Sequence, residues 1–164
     1  MLASISPNVI AIRIFSMRLL STLLAAVLAT TAFSAVAAEA KDPVEARKAV
    51  FKDYKKVFGQ GMGAVMKGEK PYNKDEFAKL AEQMVELSKQ PWQYFPAGSD
   101  KGKSEARPEV WSKPAEFKKA ADEHQALIVK LAEAAKGGDL AQIRPAFAAA
   151  QKTCKACHEV FKKD

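Results

Sequence analysis

From Val44 to Lys67 the apolar residues Val50, Phe51, Tyr54, Val57, Phe58, Met62 and Val65 recur at three- and four-residue steps, the period of one helix face. Asp42-Pro43 supplies a start signal and Gly68 a stop. Gly59, Gly61 and Gly63 fall inside the pattern, each costing about 1 kcal/mol relative to alanine. The second half of this helix is therefore expected to be its soft part, or the place where another backbone comes close. Pro71-Tyr72 makes a turn, and Asn73-Lys74-Asp75-Glu76 reads as a capping box. It opens a second helix with Phe77, Leu80, Met84 and Leu87 inward, which Pro91 ends.

A third helix is predicted from about Lys113 to Lys136, with Phe117, Ala121, Leu127, Ile128 and Leu131 on its apolar stripe. Gly137-Gly138 terminates it, and Asp139 with Gln142 three residues later caps a fourth. The fourth runs to about Lys162 and carries Phe147, Ala150, Cys154, Cys157, His158 and Phe161 at helical spacing. Pro145, early in this helix, predicts a kink or a delayed start. Between the second and third helices, a segment with Pro91, Pro96 and Pro108 also carries Trp92, Tyr94 and Phe95. Aromatic rings are wasted in solvent, so it reads as an ordered crossover loop. No stretch shows the alternation of a strand. The chain is thus all-α, an antiparallel four-helix bundle with one long crossover.

Residues 1–38 stand apart, with no Asp or Glu and with Arg13 and Arg18 as the sole basic side chains. Leu19 to Ala38 then runs without a charge and closes on Ala35-Val36-Ala37-Ala38. A basic flank, a Leu/Ala core and a small-residue end are the three regions of a secretory signal peptide, with cleavage expected after Ala37 or Ala38. Met17-Arg18 would begin a leader of ordinary length, which makes residue 17 an alternative start. The rival reading is an uncleaved anchor, since twenty uncharged residues can just span a bilayer. Cleavage would leave residues 39–164 as the periplasmic domain.

Charge changes the picture less than it first promises. The whole chain holds 26 basic and 19 acidic side chains, net +7, which invites a nucleic-acid or anionic-membrane reading. Without the two leader arginines the balance is +5. The lysines recur on every helix opposite the apolar stripe and mixed with Asp and Glu, the pattern of a solvated face. Neither nucleic acid nor, for the mature chain, a membrane is expected as partner.

The chemistry lies in Cys154-Lys155-Ala156-Cys157-His158, a C-x-x-C-H sequence that reads as covalent attachment of one haem c. Two thiols three residues apart on a helix face the same way, and each can form a thioether with one vinyl group of the porphyrin. His158, four residues from Cys154, lies on that face and can bring an imidazole nitrogen to the iron. A thioredoxin-like pair expects a preceding strand. A zinc site needs further ligands, and only His124 remains as another histidine. A structural disulfide would leave the adjacent histidine unexplained.

These residues sit in a sequence that resembles the class II cytochromes c, and within them the cytochromes c prime, over essentially the whole mature chain. The resemblance is carried by Arg47, Phe58-Gly59, Lys67 to Tyr72, Pro91-Trp92, Arg107 to Trp111, Ile128 to Leu131, Gly138-Asp139-Leu140 and the C-x-x-C-H. It implies haem inside the bundle, gas binding on the face opposite the histidine, antiparallel homodimers through the first two helices, an unidentified redox partner and no enzymatic activity. Low-spin relatives use a first-helix methionine as sixth ligand. By resemblance that position is Phe51. Met62 lies eleven residues on, about 16 Å along a helix axis, Met66 farther still, and Met84 belongs to the second helix's core. Phe51 cannot ligate iron, so a five-coordinate, high-spin haem is expected. An apolar ring offers no hydrogen-bond donor, which favours NO and CO over O2.

Arg47, Lys48 and Arg107 are further candidates, to pair with haem propionates, each with a plain surface charge as the alternative. Trp92 is expected near the haem edge. Lys162 occupies a family position often held by arginine, and His124, on an apolar stripe, reads as a satisfied interior or interface histidine. Three functions are thus in play: an NO- and CO-binding haem protein active in NO tolerance or one-electron transfer, a low-spin class II electron carrier, and a haem-free helical interaction protein.

Overall fold

The structure, a computed structural model, describes residues 42–163. The leader read at residues 1–38, with its Met17 start and its cleavage site, lies outside them. Helix α1 (Pro43–Tyr54) passes without a break into a π-helical stretch (Lys55–Met62) and then α2 (Gly63–Met66), forming one rod. Next come α3 (Lys74–Ser88), a 3-10 turn (Pro91–Tyr94), the single turn α4 (Glu109–Ser112), α5 (Pro114–Gly137) and α6 (Leu140–Phe161). The first rod, α3, α5 and α6 are the four long elements expected from the periodicity.

Each boundary has a local cause. The Asp42 carboxylate accepts from the Val44 N–H, Asn73 Oδ1 accepts from the Glu76 N–H at 3.1 Å, and Asp139 Oδ1 accepts from the Ala141 N–H at 2.8 Å. Each such cap is worth about 1 kcal/mol. Gly138 closes α5 at φ +81°, a left-handed conformation that favours glycine. Helix α6 runs through Pro145 from a start at Leu140, so the proline does not delay it. Pro145 falls early enough that its missing N–H removes only a single bond, toward residue 141.

The glycine-rich half of the first rod is widened rather than merely soft. A Cβ on Gly61 would meet Leu80 Cδ1 of α3 at 3.2 Å, so here a neighbouring helix does come close. Gly59 has nothing within 4 Å of such a position and serves no packing purpose. Between the rods, one core joins Val50, Val57 and Met62 to Phe77, Met84, Ile128, Leu131, Ile143 and Phe147. Helix α5 packs along both α3 and α6. A second, smaller cluster at the other end of α6 gathers Ala106, Val110 and Phe161 with Phe95, Trp111, Phe117 and Cys157. There the crossover is stitched to the C-terminus, the Arg107 N–H donating to Phe161 O at 2.9 Å and the Lys163 N–H to Glu105 O at 2.7 Å.

Candidate functional site

Helix α6 delivers Cys154, Cys157 and His158 on consecutive turns, as their spacing requires. Both thiols are free and half-buried. Burial raises the Cys154 pKa, and burial reinforced by the neighbouring Cys154 pushes Cys157 up to about 11. A catalytic redox pair needs a depressed pKa at its attacking cysteine, so these shifts run against that reading. Desolvation first, and then Lys162, lower the His158 pKa, with Glu105 opposing. At neutral pH the imidazole is uncharged and keeps a nitrogen lone pair free for a metal. Among the described residues no three His, Cys, Asp or Glu side chains gather to hold a metal ion.

What faces this turn follows from the register of the first rod against α6. Arg144 Nη1 donates to Met66 O at 3.0 Å, and the Phe147 ring stacks on Phe58 at 4.4 Å. Later residues of one rod therefore meet earlier residues of the other, so the two run antiparallel. His158 lies eleven residues beyond Phe147, about 16 Å along α6 and only about 20° around it. It faces the same side as Phe147, toward the first rod. Phe51, seven residues before Phe58, lies about 10 Å along the first rod in that same direction. Phe51 and His158 thus belong to the same end of the molecule on facing elements. The Phe51 ring is 36% exposed while Val50 and Tyr54 beside it are buried, so it is not ordinary bundle core.

The propionate candidates fare differently. Arg47 is only 3% exposed and is spent on the crossover: Nη1 donates to Tyr94 O and Ser99 Oγ, Nη2 to Ser99 O and Ser104 Oγ. Its guanidinium also lies 4.6 Å from the centroid of the Phe95 ring. All four terminal N–H groups of Arg47 are thus engaged by the crossover, which makes this side chain a clamp on that loop. Lys48 is exposed and pairs with Glu45 at 3.6 Å. Arg107 Nη1 donates to Glu159 O at 3.2 Å, tying the crossover to α6 one residue beyond His158. Trp92 donates through Nε1 to Ser88 O and packs edge-on against Phe117, a ring that also touches Phe161. That places it against Phe117, a member of the small cluster that also holds Cys157. Lys162 pairs with Glu105 at 3.2 Å at the end of α6.

His124 is interior, as read from its stripe, but only half satisfied. Its Nδ1 lies 2.8 Å from Thr153 Oγ1, and its Nε2 is buried without a partner. Tyr54, taken from the sequence as one more apolar position, stacks on His124 at 5.7 Å and has its own hydroxyl buried without a partner. Two polar groups on apolar stripes, a tyrosine one turn after Phe51 and a histidine on the third helix, were the available signal for this pair.

The residues present fit a covalently held porphyrin. Two free thiols at the right spacing, a neutral imidazole beside them and an uncovered phenyl ring on the facing rod are what such a group requires. The fold and the site fit a c-type haem protein of the four-helix-bundle class, in which Cys154 and Cys157 would form the thioethers and His158 would ligate the iron. Residues 42–162 match the family described as Cytochrome C'. Cytochrome c' from Alcaligenes xylosoxydans xylosoxydans is 38% identical over 126 residues, covering 77% of this chain and 97% of that protein. The solved structure of cytochrome c prime from Shewanella frigidimarina superposes with a TM-score of 0.72 at 42% identity, over 75% of this chain and 95% of the other. The nitric oxide complex of a point mutant of the Alcaligenes xylosoxidans protein gives 0.70 at 38% identity, over 75% and 94%. This chain belongs to the cytochrome c prime family and carries one covalently attached haem c.

Proposed function

We propose that this protein is exported to the periplasm and binds NO, with CO as a surrogate, at a five-coordinate haem whose open side is covered by Phe51. The observation that carries the reading is the exposed Phe51 ring on the first rod, at the same end of the molecule as His158 on the facing helix. No methionine of the described residues competes for the sixth position. Met62 and Met84 are wholly buried in the core, and the Met66 turn is tied to Arg144 at the opposite end of the rod. The relative solved with nitric oxide bound supports NO as the ligand class. Export is supported by the Arg-flanked, acid-free leader, and among the described residues no helix is long and apolar enough to cross a membrane. The role in the cell is NO tolerance, with one-electron exchange as an accompanying capacity of the same haem, rather than catalysis.

The test is the Phe51→Ala variant of the haem-loaded protein, followed by CO recombination. Removing the ring accelerates CO binding by about tenfold for each 1.4 kcal/mol of steric cost it imposed. An unchanged rate would place the ring elsewhere. The visible spectrum of the wild type is the companion measurement: a six-coordinate low-spin ferrous spectrum would transfer the protein to the electron-carrier branch, and no haem band would remove it from both.

A further inference from the structure

Tyr54 and His124 are each more than nine-tenths buried, and each leaves one polar atom without a partner, the Tyr54 hydroxyl and His124 Nε2. Buried polar groups almost always find partners, and an internal water molecule is the usual one where direct bonding fails. The roles of these two atoms can be assigned. Thr153 Oγ1 donates its single hydrogen to Ala150 O at 2.7 Å, so toward His124 it can only accept. His124 must then carry its proton on Nδ1, which leaves Nε2 as a bare acceptor. Tyr54 brings an O–H donor on a ring whose centroid lies 5.7 Å from that of the imidazole. A donor and an acceptor therefore sit unpaired on stacked neighbours, matched in sign to a single small guest.

The surroundings say where that guest faces. Tyr54 packs edge-on against Phe51 at 5.5 Å, and the Cys154 sulfur lies close enough to contribute to the raised pKa of its hydroxyl. Thr153 immediately precedes Cys154. The pair thus stands between the ring that covers the open side of the haem and the cysteine that anchors it. We infer that Tyr54 O–H and His124 Nε2 bind one water molecule at the wall of the haem pocket, and that this water gives the pocket the hydrogen-bond donor that Phe51 withholds. The water accepts from Tyr54, donates one hydrogen to Nε2 and turns the other toward the iron-bound ligand. Tyr54 and His124 are positioning residues in this scheme, acting on the ligand through the water, and the scheme rests on the proposed gas-binding reading.

The experiment uses the haem-loaded protein and its Tyr54→Phe variant, which keeps the ring and removes only the hydroxyl. A crystal structure of the wild type should show water density within hydrogen-bond distance of both atoms, and nitrogen NMR of the diamagnetic ferrous CO complex should show His124 Nε2 as a hydrogen-bonded acceptor. In Tyr54→Phe the density is lost, the Nε2 resonance moves toward that of a free imidazole nitrogen, and the C–O stretching band shifts to higher wavenumber. His124→Leu, which removes the acceptor instead, should move the C–O band the same way. A dry site, a direct Tyr54–His124 bond, or a C–O band unmoved in both variants would overturn the inference. Failure of the gas-binding reading shows separately, as a visible spectrum without a five-coordinate haem.

Discussion

Burial without a counter-charge sets the acid stability of this protein, and His124 is where the effect concentrates. Its ordinary pKa of 6.5 falls to about 4, caused by desolvation of the ring between α5, α6 and the first rod. Unfolding restores the ordinary value. Between those two pH values the unfolded chain binds a proton at His124 that the folded protein refuses, so stability rises with pH across this window. The contribution is complete above about pH 6.5 and is lost as the pH falls toward 4. At about 1.4 kcal/mol per decade the whole effect is about 3 kcal/mol, a large share of a domain's net stability. The groups that face the ring are Tyr54 and Thr153. Burial raises the pKa of Tyr54 above its ordinary value and Thr153 does not ionise, so neither titrates in the window.

The measurement is urea unfolding of the haem-loaded wild type and a His124→Phe variant, at pH values spaced between about 4 and 7. Phenylalanine preserves a ring against Tyr54 and removes both nitrogens, while Thr153 keeps its own bond to Ala150 O. Every other group is common to both proteins, so the difference between them isolates His124. The wild type should gain on the variant by up to about 3 kcal/mol as the pH rises through the window. A difference that is flat with pH, or that shrinks as pH rises, would refute the assignment of a neutral, desolvated imidazole.

Two further outcomes follow from the fold. Arg47→Leu strips four hydrogen bonds from the crossover and should cost about 3 kcal/mol in urea unfolding, with amide exchange accelerating at residues 99–104 before it does in α5. The glycines should divide sharply in thermal melts. Gly138→Ala loses about 1–2 kcal/mol, because its φ of +81° is strained for alanine and the new Cβ would lie 2.5 Å from Lys74 Cδ. Gly59→Ala, with nothing in its way, should instead gain about 0.5–1 kcal/mol.

Much of the architecture was legible because local signals and tertiary structure agree. Asn73 and Asp139 cap where capping chemistry demands, Gly138 stops α5, and the crossover is ordered because Trp92, Tyr94 and Phe95 all found packing partners. The placement of Cys154, Cys157 and His158 on one helix was legible for the same reason. The three residues lie within one helix, where spacing alone fixes mutual orientation. What escaped the sequence is whatever depends on two distant segments meeting. Arg47 reads as a charge beside the haem-facing turn, yet its partners lie more than forty residues on in a loop whose path no periodicity reveals. The π-helical stretch is invisible for a related reason: no local propensity marks it, and the close neighbour of its Gly61, Leu80, lies on α3.

Tyr54 and His124 show how these two kinds of information combine. Each sits on an apolar stripe, where a phenylalanine would have packed as well and left no atom unsatisfied. A buried unpaired hydroxyl costs about 1–3 kcal/mol, and an unpaired ring nitrogen a comparable amount. Two such costs borne by stacked neighbours, on different helices and beside the same cysteine, do not serve the stability of the bundle. They are the kind of local expense that folds carry where a pocket must present polarity to something other than itself. Phe51, one turn from Tyr54, marks the opposite choice, an apolar ring left exposed. On the proposed reading the first rod would present an apolar cover and a polar notch on successive turns, and ligand discrimination would rest on the balance between them.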